Sequence, residues 1–174
     1  GWKATFFEGG TRVPFFMQLP GVIAPGSQFT APVSHFDIFA TSAALAGVQP
    51  PADRVIDGVN LIPFARGEQG GRPHEQMFWR SGAYQVARSG DWKLQVNETQ
   101  DKVWLFNLKD DPTEQHNLVD AEPTRVKELL AQLAEFNSQQ KAPLWPSLVE
   151  APILIDKPLN RPQTIDDEFI YWSN

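Results

Sequence analysis

A change of hydrophobic period about halfway along the chain constrains its fold more than any other feature. Tyr84 and Val86, then Trp92, Leu94 and Val96, alternate with polar residues on either side of Ser89-Gly90-Asp91. A period of two belongs to strands with a buried face, and a glycine-aspartate pair between two such runs is a hairpin signal. Residues 77–80 and 102–107 supply two further strand-like runs. The spacing therefore predicts three or four antiparallel strands forming a sheet with one face still to be covered. The cover comes next in the chain. Val126, Leu129, Leu130, Leu133 and Phe136 recur at helical intervals, which predicts an amphipathic helix over 121–138, with Asp120 as its cap and Pro123 tolerated in the first turn. Five large apolar side chains, worth about 1.5 to 3 kcal/mol each when fully buried, suffice to dock that helix on the sheet.

Upstream of the sheet the pattern differs. The apolar run over residues 13–19, bounded by Gly10 and by Pro20-Gly21, reads as a short buried strand with Pro14 at its start, where a missing N–H does least harm. Residues 21–32 read as a loop. Ser34-His35-Phe36-Asp37 has the spacing of a helix start, and Phe36, Phe39, Ala40, Ala43 and Ala44 follow at helical intervals. This predicts a helix over 35–46, stopped by Gly47. Residues 50–73 are rich in proline, glycine and charge and read as a connector, with a boundary at 66–73. The tail, residues 142–174, holds five prolines and an aromatic cluster at 169–172. It is expected to wrap the surface and end in a short strand.

With 174 residues, 41% of them hydrophobic, the chain is long enough to bury a core. Its net charge of −6, with no Lys/Arg cluster, argues against a nucleic-acid partner. No apolar run reaches the length of a membrane span, and no N-terminal apolar segment marks a signal peptide. The absence of cysteine excludes disulfides and thiolate metal sites and leaves the redox compartment undetermined. His35, His74 and His116 lie about 40 residues apart, without the short spacing of a zinc site. Asp110-Asp111 and Asp166-Asp167 invite a calcium reading, but Asp111-Pro112 is turn chemistry and the second pair opens no ligand series. The reading assigns no metal ligand in this chain.

The stretch from Gly1 to Pro14 carries the chemistry. Gly9-Gly10 allows either positive φ or close approach of another segment, and it reads as a tight turn. Glu8 and Arg12 flank it with opposite charges, so they are expected to brace it. Lys3 stands apart as an isolated cation.

Gly-x-Lys-x-x-x-x-Glu-Gly-Gly-x-Arg-x-Pro, seven specified positions at fixed spacing over residues 1–14, resembles the signature late in the catalytic domain of the sulfatases, in the alkaline-phosphatase superfamily. Asp57-Gly58-Val59-Asn60-Leu61-Ile62-Pro63 resembles the piece that ends that domain. Residues 88–94, including Trp92-Lys93-Leu94, and 105–118, with Asp111-Pro112 and Asn117-Leu118, resemble the family's C-terminal pattern. The matches cover about residues 1–137. They imply the end of an α/β catalytic domain over 1–70, followed by an α+β subdomain over 71–174, a small antiparallel sheet covered by one amphipathic helix.

The resemblance implies that Lys3 contacts the sulfate group and is the catalytic residue of this stretch. Trp2 and His35 are carried as substrate-binding candidates; a histidine in a first helical turn is more commonly satisfied by backbone or packing. For the complete enzyme the resemblance implies calcium and a formylglycine made from cysteine or serine in a Cys/Ser-x-Pro/Ala-x-Arg motif. No serine here has that context, and the family's calcium ligands lie upstream of Lys3. The expected partners are a sulfate-ester substrate and the missing N-terminal catalytic part; oligomeric state stays open, and a periplasmic or secreted location is compatible with the resemblance. The 174 residues alone are expected to be inactive. Two other readings stay open: a phosphodiesterase or phosphonate hydrolase of the same superfamily, since a lysine beside an anion does not distinguish sulfuryl from phosphoryl, and a non-catalytic accessory or interaction domain.

Overall fold

The predicted alternation is realised as a meander. The computed structural model describes residues 1–142, 144–145, 147–158 and 160–173. The chain divides into two compact units, one formed by Gly1–Pro14 with Gln76–Asn174 and the other by Phe15–Glu75.

The first unit begins with a single helical turn, α1 (Glu8–Thr11), and resumes with four strands, β1 (Gln76–Ser81), β2 (Tyr84–Ser89), β3 (Trp92–Asn97) and β4 (Lys102–Asn107). They form an antiparallel sheet in sequential order. Ser81 pairs with Tyr84 and Ser89 with Trp92, leaving Gly82-Ala83 and Gly90-Asp91 as two-residue turns. Gly90 has φ +60°, the left-handed region that a tight hairpin of the twist-matched type requires. Beyond β4 the loop folds back along it. The Asn117 side chain accepts from Leu105 N (2.9 Å) and donates to Val103 O (3.2 Å), and Leu118 N donates to Leu105 O (2.8 Å).

The helix α4 (Pro123–Ser138) lies against β2 and β3, where Leu129 and Leu133 pack with Ala87, Leu94 and Leu105. Phe136 stacks on Phe78 at 4.4 Å between ring centres. The predicted stripe is narrower than its spacing suggested, since Leu130 is 38% exposed. Pro123 sits at the helix start as expected. Asp120 does not cap it: the cap position is Glu122, without a side-chain hydrogen bond.

The opposite face of the sheet is covered too. Phe7, Tyr84, Val86, Trp104, Phe106, Ile155 and Ile170 form a second core. Its lid is built from the N-terminal segment and from a pair of antiparallel strands in the tail, β5 (Glu150–Leu154) and β6 (Phe169–Ser173). The tail therefore ends in the expected strand, but as one of a pair, with Leu154 and Ile170 buried.

The second unit contains α2 (Asp37–Leu45) and the short α3 (Ile62–Ala65). As predicted, α2 stops before Gly47, whose φ is +67°. The run over 13–19 is not a strand. Its residues lack strand pairing, and Val13 and Phe16 are 70% and 91% exposed. A buried strand needs neighbours to take its N–H and C=O groups, and among the described residues none flanks this run.

Two neighbouring side chains of α4, Leu129 and Leu130, give a direct test of its docking on the sheet. Leu129→Ala, removing a side chain 1% exposed, should cost about 2 to 4 kcal/mol of unfolding free energy. Leu130→Ala should cost under about 1 kcal/mol. Urea unfolding of the two variants measures both.

Candidate functional site

The site is built around the segment that carries Lys3. Trp2 O accepts both Thr5 N and Thr5 Oγ at 2.9 Å, closing a turn with Lys3 exposed at its head. On the far side of the turn, Phe6 N donates to the Tyr84 hydroxyl at 3.0 Å. The two glycines that follow lie in α1 and owe their identity to close approach. A Cβ on Gly10 would sit 1.9 Å from Thr5 O, and one on Gly9 1.9 Å from Gly1 O. No larger residue fits there without moving backbone.

Glu8 then enters the interior. Its carboxylate lies 2.8 Å from Lys93 Nζ and 3.9 Å from Arg88 Nη1. Lys93, the second residue of β3, has no solvent exposure. Its second carboxylate partner is Glu114, at 3.0 Å. Glu114 also accepts from Gln95 Nε2 at 3.1 Å and from Glu8 N. The Tyr84 hydroxyl donates to Gln95 Oε1, which extends the network to β2. Glu8 is therefore braced from the sheet rather than by Arg12, which is exposed and meets Glu8 through a backbone hydrogen bond. Arg12 lies just past α1 with extended backbone (φ −86°, ψ 92°), so its side chain leaves the helix face that would bring it over Glu8, whereas the buried ammonium of Lys93 meets both Glu8 and Glu114.

Burial sets the electrostatics of this network. It pushes the Glu114 carboxyl up from its ordinary value, partly offset by the adjacent Lys93 ammonium. It also pushes the Tyr84 phenol far up, against the smaller pull of Phe6 N, so Tyr84 stays a neutral donor and acceptor.

Trp2 is half-buried, with its indole N–H donating to Leu154 O at 2.6 Å. His35 belongs to the other unit, where it is exposed with its ring 4.2 Å from Phe36. In that unit the well-built polar group is Asp37, which is fully buried. It accepts from Ser34 N (2.7 Å) and Val59 N (2.8 Å), and His74 Nε2 lies 2.8 and 2.9 Å from its two oxygens. Asp37 thus supplies the return half of the predicted helix-start motif and ties α2 to the connector. The acidic pairs serve local turns: Asp111 accepts from His116 N at 2.8 Å, and Asp167 accepts from Thr164 N and Lys157 Nζ at 2.7 Å.

Sequence reasoning did not place Lys93, Glu114, Tyr84, Asp37 or His74 in buried polar networks. A usable signal exists for Lys93, the one charged residue of β3, set between Trp92 and Leu94. Lys93→Met would leave Glu8 and Glu114 buried without their cation, at a cost of about 3 to 5 kcal/mol near neutral pH. Without the ammonium, Glu114's already raised pKa rises further. The folded state then holds its proton to higher pH than the unfolded chain, so stability grows as pH falls. The deficit against wild type should shrink towards the ordinary carboxylate range, about pH 4, as read from urea midpoints over a pH series.

Comparison with known proteins identifies the family of the chain. The family profile described as N-sulphoglucosamine sulphohydrolase, C-terminal, matches residues 2–142. Steryl-sulfatase of Rattus norvegicus is 40% identical over 112 residues, 64% of this chain and 19% of its own length. Choline-sulfatase of Rhizobium meliloti (strain 1021) is 37% identical over 123 residues, 68% of this chain and 23% of its own. The chain thus spans less than a quarter of these two relatives. Among solved structures, one concerned with the metabolism of multiple glycosaminoglycans by Bacteroides thetaiotaomicron superposes with a TM-score of 0.66 at 26% identity, over 79% of this chain and 31% of that one. Ps i-CgsB, also solved in complex with k-i-k-neocarrahexaose, gives 0.62 at 25% identity over 72% and 29%. With the profile spanning most of the chain, and the small α+β architecture shared with these structures, the chain belongs to the sulfatase family as a C-terminal portion of a sulfatase.

Proposed function

We propose that this chain is the C-terminal part of an enzyme that hydrolyses sulfate esters, and that Lys3 is the residue it gives to the reacting group. The observation that carries the reading is an exposed ammonium, without an ion-pair partner among the described residues, at the head of a turn whose continuation is locked into a buried network. Cleavage of a sulfate ester gathers negative charge on the sulfuryl and leaving oxygens, so a fixed cation there stabilises the transition state more than the ground state. A compact ammonium suits that task. Trp2 offers a substrate its ring, since its N–H is already engaged.

The calcium and formylglycine implied by the family do not fit the donor set of this chain. It has no cysteine and no serine in the required motif. Among the described residues no group of three or more His, Asp or Glu side chains could hold a metal. Both groups belong to the N-terminal catalytic part, which is the partner this reading requires.

In the full-length protein, Lys3→Ala should lower kcat/KM for an aryl sulfate by about 10²- to 10³-fold, with the unfolding midpoint unchanged. Unaltered kinetics would remove Lys3 from the site, and a loss matched by a lower midpoint would make it structural. The 174 residues alone, given an aryl sulfate and calcium, should turn over nothing above background, because no activated nucleophile is present. Turnover that survives repurification would overturn this assignment of roles.

A further inference from the structure

We infer that the C-terminal tail is a positioning element for the Lys3 turn, acting through Trp2 and Phe6; the inference rests on the role proposed above for Lys3. The two tail strands lie beyond the residues 2–142 matched by the family profile, so the family pattern by itself assigns them nothing. Yet two independent contacts run from them to the turn. Leu154 O, at the end of β5, accepts the Trp2 indole N–H at 2.6 Å. The Trp172 ring of β6 lies 5.0 Å from the Phe6 ring. These contacts grip the turn on both sides of Lys3, one residue before it and three after.

The tail can hold because it is itself anchored to the sheet. Leu154, Ile155 and Ile170 are buried. Asn97 Nδ2 donates to Tyr171 O at 3.1 Å, and Ser81 Oγ donates to Ser173 O at 3.1 Å. The chain from β1 and β3 through the tail to Trp2 is therefore continuous hydrogen bonding and packing. An ammonium on a flexible four-carbon stem is placed by its backbone, and a displacement of about 1 Å at a reacting group can cost up to about 10²-fold in rate. A tail that fixes the backbone on either side of Lys3 acts on the reaction without touching the substrate.

The test is a double-mutant cycle in the full-length protein. Trp2→Phe keeps a ring and removes the N–H donor; Trp172→Leu loosens the second contact and serves independently if the first variant fails to fold. Each is made in the wild-type and in the Lys3→Ala background, with kcat and KM for an aryl sulfate and the melting midpoint measured for all. Each tail contact should be worth roughly three- to tenfold in kcat/KM in the wild type. In the Lys3→Ala background the same change should cost less than about twofold, because residues acting through one another are not additive. Equal losses in both backgrounds, or no loss in well-folded variants, would overturn the inference while leaving the role of Lys3 intact. If Lys3→Ala alone left kcat/KM unchanged, the role of Lys3 would fail first, and the inference with it.

Discussion

A full positive charge with no exposure to water, the ammonium of Lys93, is the constraint on which the first unit depends. Taking an ion out of water costs several kcal/mol, recovered only where partners are close and the remaining hydrogen-bonding positions are filled. The chain meets that demand with two carboxylates from distant segments, Glu8 at 2.8 Å and Glu114 at 3.0 Å, separated from Lys93 by 85 and 21 positions respectively. Neither acid can move without exposing a deficit of charge. The N-terminal turn and the loop after β4 are thus fixed to the centre of the sheet by one residue. The glycines after Glu8 follow from the same demand, since the backbone must pass against Thr5 O and Gly1 O for the carboxylate to reach inwards.

Why part of this arrangement could be read in advance and part could not is a matter of range. Alternation along 84–96 and the helical stripe over 126–136 are local patterns, and they yielded the meander and α4. The same alternation puts Lys93, Gln95 and Asn97 on one face of β3, a polar set that local reasoning gives to water, yet all three have zero exposure. Period two identifies which residues share a face and says nothing about what covers it. The covering segments are separated from this strand by about 60 to 90 residues of chain. Lys3 became a candidate only through the fixed spacing of its motif, because nothing local separates it from any surface lysine. The run over 13–19 failed for the converse reason: its composition suits a buried strand, but pairing partners are not a local property.

The second unit solves a similar problem with less. Asp37 is buried without a cationic side chain of the Lys93 kind, and it draws on two backbone N–H groups and an imidazole instead. Each donor comes from a different segment, before α2, before α3 and at the end of the connector. One carboxylate thereby fixes the course of a stretch that otherwise has only two short helices to order it. That economy also explains why a sequence rich in proline and glycine reads as a mere connector while still being held.

Asn117 has a consequence of another kind. As the last strand of its sheet, β4 turns N–H and C=O groups outward, and such an edge is a template for pairing with a strand from another molecule. The Asn117 amide occupies both kinds of group at once, and Leu118 N takes a third. An aspartate could accept but not donate there. A single side chain thus imitates one rung of a neighbouring strand and then turns away, so at Val103 O and at Leu105 the β4 edge has no free group to offer another strand.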